Sequence, residues 1–247
     1  IAGPLAAKAV DDTVFWMGIE EFYVYTGQVQ KLPCSVRSFV FNDFNLSQME
    51  LVTASLNSSF SEIWWFYPSA SSQEIDKYVV YNYQEKVWYY GSMVRTYWLD
   101  RGVNDFPVAA STDGYLYNQE FGLNDGSTTP PTAITSYIES SQLSIGDGED
   151  FVFLSRLIPD ITFAASTSTA PTVNMTFQTR NAPGGQYLQS NVSGVTETAT
   201  TPVEQFTEQA FIRLRGRAFA LKVDSSTLDT QWRLGTTRVD VRPDGRR

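Results

Sequence analysis

Three stretches in the first half of the chain repeat one grammar of aromatic strand, polar turn and aromatic strand, and this repetition restricts the fold more than any other feature. They are residues 14–32 (VFWMGIEEFYVYTGQVQKL), 62–90 (EIWWFYPSASSQEIDKYVVYNYQEKVWYY) and 108–121 (VAASTDGYLYNQEF). In the second, Tyr78, Val80 and Tyr83 surround a turn centred on Asn82 that leads to Val87, Trp88 and Tyr89. The period of two is that of an antiparallel hairpin. Recurrent units of strands, turns and aromatics at about 30–50 residues are how β-propeller blades read in sequence, because each blade stacks an apolar face on the next. The repeat is degenerate. It has no Trp-Asp dipeptide and no paired kelch glycines, and Thr112-Asp113-Gly114 lacks the Thr-Trp that completes an Asp-box. Three units are too few to close a ring. The chain starts at Ile1 and enters strand-like sequence at once, so we expect it to be the C-terminal part of a longer product.

Composition agrees with an all-β fold. Aromatics make up 14% of 247 residues, and Ser, Thr and Asn are abundant where a helical protein would use Ala, Glu and Lys. One segment departs from the strand pattern: residues 45–52 (NLSQMELV) start with an Asn suited to an N-cap and predict a single short helix. Residues 123–131 (LNDGSTTPP) are rich in turn formers and end in a Pro pair that no central strand accepts. They divide the chain into residues 1–131, read as propeller blades, and residues 132–247, read as a β-sandwich-like C-terminal domain. Its alternating runs fall at residues 135–143, 151–164, 173–179, 211–223 and 237–241. Residues 181–205, with Pro183-Gly184-Gly185 and few aromatics, read as a long surface loop.

Several function classes are disfavoured by residue content. The chain has no histidine, the commonest general base and transition-metal ligand, so no Ser-His-Asp or Cys-His arrangement can exist. Its one cysteine, Cys34, cannot form an intrachain disulfide. No run approaches the roughly 20 apolar residues of a membrane helix. The formal charge of −9 is uneven: residues 1–209 hold 9 basic and 23 acidic side chains, and residues 210–247 hold 9 basic and 4 acidic. Most of the chain would repel nucleic acid. Only Arg213, Arg215 and Arg217 and the tail of Arg242, Arg246 and Arg247 could face phosphate, and contacts between subunits are the better use for them.

Apparent catalytic or ligand motifs have plainer readings. Glu20 and Glu21 are adjacent, so on a strand they point to opposite faces and cannot flank a glycosidic bond. Gly146-Asp147-Gly148-Glu149-Asp150 lacks the alternating ligands and distal Glu of a calcium loop. Arg37, Arg95 and Arg101 with the many tyrosines could be imagined as a sialidase triad and nucleophile, but no spacing supports it. Sequons at Asn45, Asn57, Asn174 and Asn191 are expected by chance in a Ser/Thr-rich chain. Trp64 and Trp65 fill a core more readily than they form a sugar platform. We read no catalytic, cofactor-binding or metal residue.

The order of Phe15-Trp16-Met17-Gly18, Phe22-Tyr23-Val24-Tyr25, Leu32-Pro33-Cys34, residues 62–68 and 78–83, Thr112-Asp113-Gly114-Tyr115-Leu116-Tyr117 and the ending from Trp232-Arg233-Leu234-Gly235 to Arg242-Pro243-Asp244-Gly245-Arg246-Arg247 resembles the C-terminal part of the tail nozzle, tail tube hub or packaged-DNA stabilisation proteins of short-tailed bacteriophages. The resemblance implies a propeller-containing virion subunit, six copies of which ring the DNA channel below the portal and adaptor proteins, with tail fibres or spikes outside. It implies assembly in the bacterial host cytoplasm, DNA passing without sequence-specific binding, and no enzyme activity or cofactor. Family members are generally longer, so N-terminal blades and channel-gating loops are expected to be missing here. Within this frame Arg213, Arg215, Arg217, Arg246 and Arg247 are the candidate subunit-interface residues, the first three because they alternate along a strand. The rival reading is a secreted or surface propeller that binds or cleaves glycans.

Overall fold

The computed structural model describes residues 1–144, 148–182 and 197–245. They form an all-β protein of two compact units, Ile1–Phe121 and Gly122–Arg247. The residue 123–131 stretch, with its cis Thr129–Pro130 peptide, thus belongs to the start of the second unit.

The first unit is three consecutive antiparallel sheets. Strands β1 (Ala7–Val10), β2 (Thr13–Met17), β3 (Phe22–Tyr25) and β4 (Val29–Leu32) pair in chain order. So do β5 (Thr53–Asn57), β6 (Glu62–Tyr67), β7 (Lys77–Asn82) and β8 (Val87–Ser92), and then β9 (Tyr97–Leu99), β10 (Val108–Ala110) and β11 (Leu116–Asn118). Asn82 makes the β7–β8 turn by accepting from the amides of Gln84 and Glu85 at 3.1 and 2.9 Å. Between the first two sheets lie a helix, α1 (Arg37–Asn42), and a 3-10 helix over Leu46–Leu51. Asn45 caps the latter by accepting from Ser47 N at 3.0 Å. The single expected helix is therefore two, and α1 was hidden because RSFVFN is aromatic and β-branched.

Every residue of β6 is buried, because the second sheet is covered on both faces. Ile63, Trp65 and Tyr67 join Phe15, Met17, Phe22 and Leu32 of the first sheet in one core. The alternate residues Trp64 and Phe66 pack with Trp98 and Ala109 of the third sheet in another. Adjacent tryptophans of one strand thus anchor opposite neighbours, as the pleat requires. The first strands lie side by side and run parallel: Leu5 and Thr53 form a parallel bridge, and Thr53 and Ser55 hydroxyls donate to the carbonyls of Thr96 and Trp98 at 3.4 and 3.3 Å. The outer faces of the stack remain apolar. Trp16 and Tyr23 stack at 5.5 Å on one, and Tyr97, Leu99 and Leu116 are exposed on the other.

The second unit contains β12 (Asn124–Asp125), β13 (Thr132–Ala133), β14 (Ser136–Glu139), β15 (Leu143–Ser144), β16 (Val152–Ile158), β17 (Ile161–Thr162), β18 (Thr172–Arg180), β19 (Thr198–Glu204), β20 (Ala210–Gly216), β21 (Ala218–Ser225), β22 (Arg233–Leu234) and β23 (Arg238–Pro243). Two sheets share one core. One has the order β14-β21-β18-β19 with β15 also on β21, and the other has β20-β16-β23. Val173, Met175, Phe177, Phe219 and Val223 of the first meet Val152, Leu154, Leu157, Ile212 and Leu214 of the second. β18 alternates half-buried and buried residues along its whole length. The expected loop over residues 181–205 is corrected at its end, since β19 pairs with β18 from Gln178↔Thr198 to Thr172↔Glu204. Pro202 is tolerated there because β19 is an edge strand. Residues 183–196 of that expected loop lie outside the described residues.

Candidate interaction face

The solvent face of β20-β16-β23 collects the arginines. On β20, Ile212 and Leu214 are buried, so Arg213 and Arg215 face outward with Phe211. Arg215 lies opposite Phe153 of β16, which lies opposite Arg242 of β23, and this row places an aromatic ring between two guanidinium groups. A bulge between Leu154 and Arg156 brings Arg156 to the same face, opposite Phe211 on one side and Asp240 on the other. Arg238 follows two residues before Asp240 on β23. Five arginines therefore share one sheet face although they come from three distant segments.

Two of the five are held by carboxylates. Arg156 Nη2 pairs with Asp240 at 2.7 Å, and Arg215 pairs with Asp244 while donating to its carbonyl at 3.1 Å. Among the described residues Arg213, Arg238 and Arg242 make no ion pair. All three are exposed.

Of Arg213, Arg215 and Arg217, expected to alternate on one strand, the first two lie on β20 and the third just past its end. β20 ends at Gly216, so Arg217 sits in the connection to β21, where its amide donates to Arg180 O and its guanidinium to Asn181 O at 3.2 Å. It converges with Arg215 on Phe151, their guanidinium carbons 4.6 and 3.9 Å from the ring centroid. Arg246 and Arg247 lie outside the described residues. Arg156 and Arg238 were not singled out in sequence. The period-two run Arg238-Val239-Asp240-Val241-Arg242 could have pointed to one of them, but no sequence signal links Arg156 to the others.

A second polar cluster is internal to the first unit. Glu62, buried at the start of β6, accepts from Trp64 Nε1 at 3.0 Å and Asn57 Nδ2 at 3.5 Å. Asn57 Nδ2 also donates to Glu120 at 3.1 Å. Partial desolvation pushes the Glu120 carboxyl above the usual range although the residue reaches solvent, the charge of Glu62 adds to the rise, and the Asn57 bond opposes it. A folded-state value above the unfolded one means that the native chain keeps a proton the unfolded chain has released. This contribution is fully present below the ordinary carboxylate value and is lost as pH rises through the elevated one. Glu120→Gln should flatten that loss, read as the difference between variant and parent melting temperatures across acid to neutral pH. Parallel curves would contradict the assignment.

The remaining sequence candidates have local partners. Glu21 pairs with Lys31 and Arg37 at 3.1 and 3.2 Å, and the Lys31 hydrogen bond leads in lowering its pKa. Arg95 lies 4.6 Å from the Tyr117 ring. Asn57 of the second sequon is fully buried, and Asn191 and residues 145–147 of the acidic turn fall outside the described residues. Cys34 is half-buried, and burial pushes its thiol up to about 11, so it is protonated at neutral pH. Among the described residues no group of three or more acidic or Cys side chains is placed to hold a metal.

Fold and site together define a two-unit antiparallel all-β protein with an arginine-bearing sheet face, and no helix among the described residues is long and apolar enough to cross a membrane. No protein-family model matches the chain, and no curated protein matches it.

Proposed function

We propose that the chain is a structural virion protein of a phage tail: a subunit of a ring-shaped nozzle or hub that conducts and retains packaged DNA and anchors tail fibres or spikes. The supporting observation is the stack of three consecutive antiparallel sheets. Their first strands run parallel side by side, and an apolar face is left uncovered at each end. That arrangement supports reading the sheets as propeller blades, since a blade stack ends only when it closes on itself. The motif order in sequence supports the tail assignment. The ring would have six copies, meet portal and adaptor proteins, and act by assembly and conduction rather than by bond chemistry.

Cryo-electron microscopy of the purified protein or of the virion tests the reading. A sixfold ring around a pore wide enough for duplex DNA is expected. A monodisperse monomer with a closed propeller and a carboxylate-lined pocket would overturn it in favour of glycan chemistry.

A further inference from the structure

We infer that the arginine face of β20-β16-β23 is one half of a head-to-tail contact between copies of this chain, and that the acid-rich turn end of the first unit of a neighbouring copy is the other half. The inference rests on the ring reading above and names the two different surfaces that a closed heterologous ring requires.

The composition of the face fits a protein partner better than a phosphate polymer. Its cations are all arginine, interleaved with Phe153 and with Phe211, whose side chain is 77% exposed. Arginine and aromatic residues are enriched in protein interfaces and lysine is depleted, because the guanidinium both stacks and pairs bidentately with carboxylates. A phosphate polymer would meet the repulsion of a chain at −9 before it reached the face. Two arginine faces brought together would repel each other, so the complement lies elsewhere on the molecule.

The topology of the first unit supplies that complement. Leu5 beside Thr53, and Thr53, Ser55 and Ser58 bonded in order to Thr96, Trp98 and Asp100, show that β1, β5 and β9 run the same way. The turns that follow these strands, and the β7–β8 turn, therefore lie at one end of the unit. That end exposes the carboxylates of Asp11, Asp12, Glu85 and Asp105 against the cations of Lys86 and Arg101. Phe60 and Val103 project from the same turns, 52% and 103% exposed. Carboxylates with apolar tips on one surface answer guanidinium groups with exposed rings on the other.

The test is sedimentation velocity of the full chain over a range of concentrations at low and high salt. The expected result is a closed assembly for the parent that salt weakens. Arg213→Glu with Arg242→Glu, and separately Asp12→Lys with Asp105→Lys, should each weaken association about tenfold or more, as lost interfacial charge pairs do. An equimolar mixture of the two double variants should recover assembly, because an alternating ring makes every contact attractive. All four residues are exposed, and circular dichroism verifies folding. Arg213→Ala with Arg242→Ala replaces the reversal if that variant misfolds, with weakened assembly again expected. Unchanged assembly of the arginine variants overturns this docking and leaves the ring standing. A parent that stays monomeric throughout overturns the ring reading and this contact with it. Intact assembly combined with lost binding to an oligonucleotide reassigns the face to nucleic acid.

Discussion

Trp65→Ala is expected to cost about 3–5 kcal/mol of unfolding free energy, the range for truncating a buried tryptophan. Its side chain has no solvent exposure, lies 4.9 Å from Phe22 and 5.9 Å from Trp88 between ring centroids, and donates from Nε1 to Ala6 O at 3.1 Å. It therefore joins the second sheet to the first by packing and by a buried hydrogen bond. Truncation opens a cavity between sheets that β-strand backbones cannot close, and it leaves the Ala6 carbonyl without its indole donor. Domain stabilities are about 5–15 kcal/mol, so the loss would be a large fraction of the whole. Trp16→Ala is the control. Trp16 is only half-buried and stacks on Tyr23 on the uncovered face of the first sheet, so its removal should cost less than half as much. Urea unfolding followed by far-ultraviolet circular dichroism measures both. Equal losses for Trp65 and Trp16 would show that the space between sheets is not where the first unit is held together.

The same pair of tryptophans shows how far the sequence could be read. Period-two aromatic runs located β2, β3 and β6 to β8, because large side chains alternating along a strand leave a pattern that no helix shares. Strands β5 (TASLN) and β9 (YWL) left little such pattern. The first makes its contacts through small hydroxyl side chains pressed against a neighbouring strand, and the second is only three residues long. α1 carries RSFVFN, whose aromatic content argues for a strand until the packing of Val40 in the core fixes a helix there. In the second unit, β19 was hidden behind its Pro and its scarcity of large apolar residues. An edge strand needs neither an unbroken row of donors nor two buried faces.

The arginine face was legible only in its β20 part. Alternation along one strand can be counted in sequence, whereas the meeting of Arg156, Arg215, Arg238 and Arg242 depends on which strands pair and on a bulge between Leu154 and Arg156. Local patterns carry the direction of a side chain relative to its own strand. They carry nothing about which distant strand lies beside it. That is why the sequence suggested isolated basic clusters at residues 213–217 and at the C-terminus, and why the folded chain presents a single surface built from both and from β16.

Glu62→Ala is expected to destabilise the chain by about 2–4 kcal/mol, through the hydrogen-bond donors it abandons rather than through its own lost packing. Trp64 Nε1 and Asn57 Nδ2 both donate to Glu62, at 3.0 and 3.5 Å. Each buried donor left without an acceptor costs about 1–3 kcal/mol. Partial relief is available because Asn57 retains Glu120, which is why the total is set below two full penalties. Glu62→Gln keeps an acceptor in place and removes the charge that helps raise the Glu120 carboxyl, so it should cost about 1 kcal/mol, with weaker bonds offset in part by relieved repulsion. The Glu120 carboxyl should then titrate closer to the ordinary carboxylate range, although its partial desolvation still holds it above. Urea unfolding of the two variants at neutral pH separates the alternatives. A loss below about 1 kcal/mol for Glu62→Ala would mean that water already serves these donors, and that the sheets beside Glu62 are held by their aromatic cores alone.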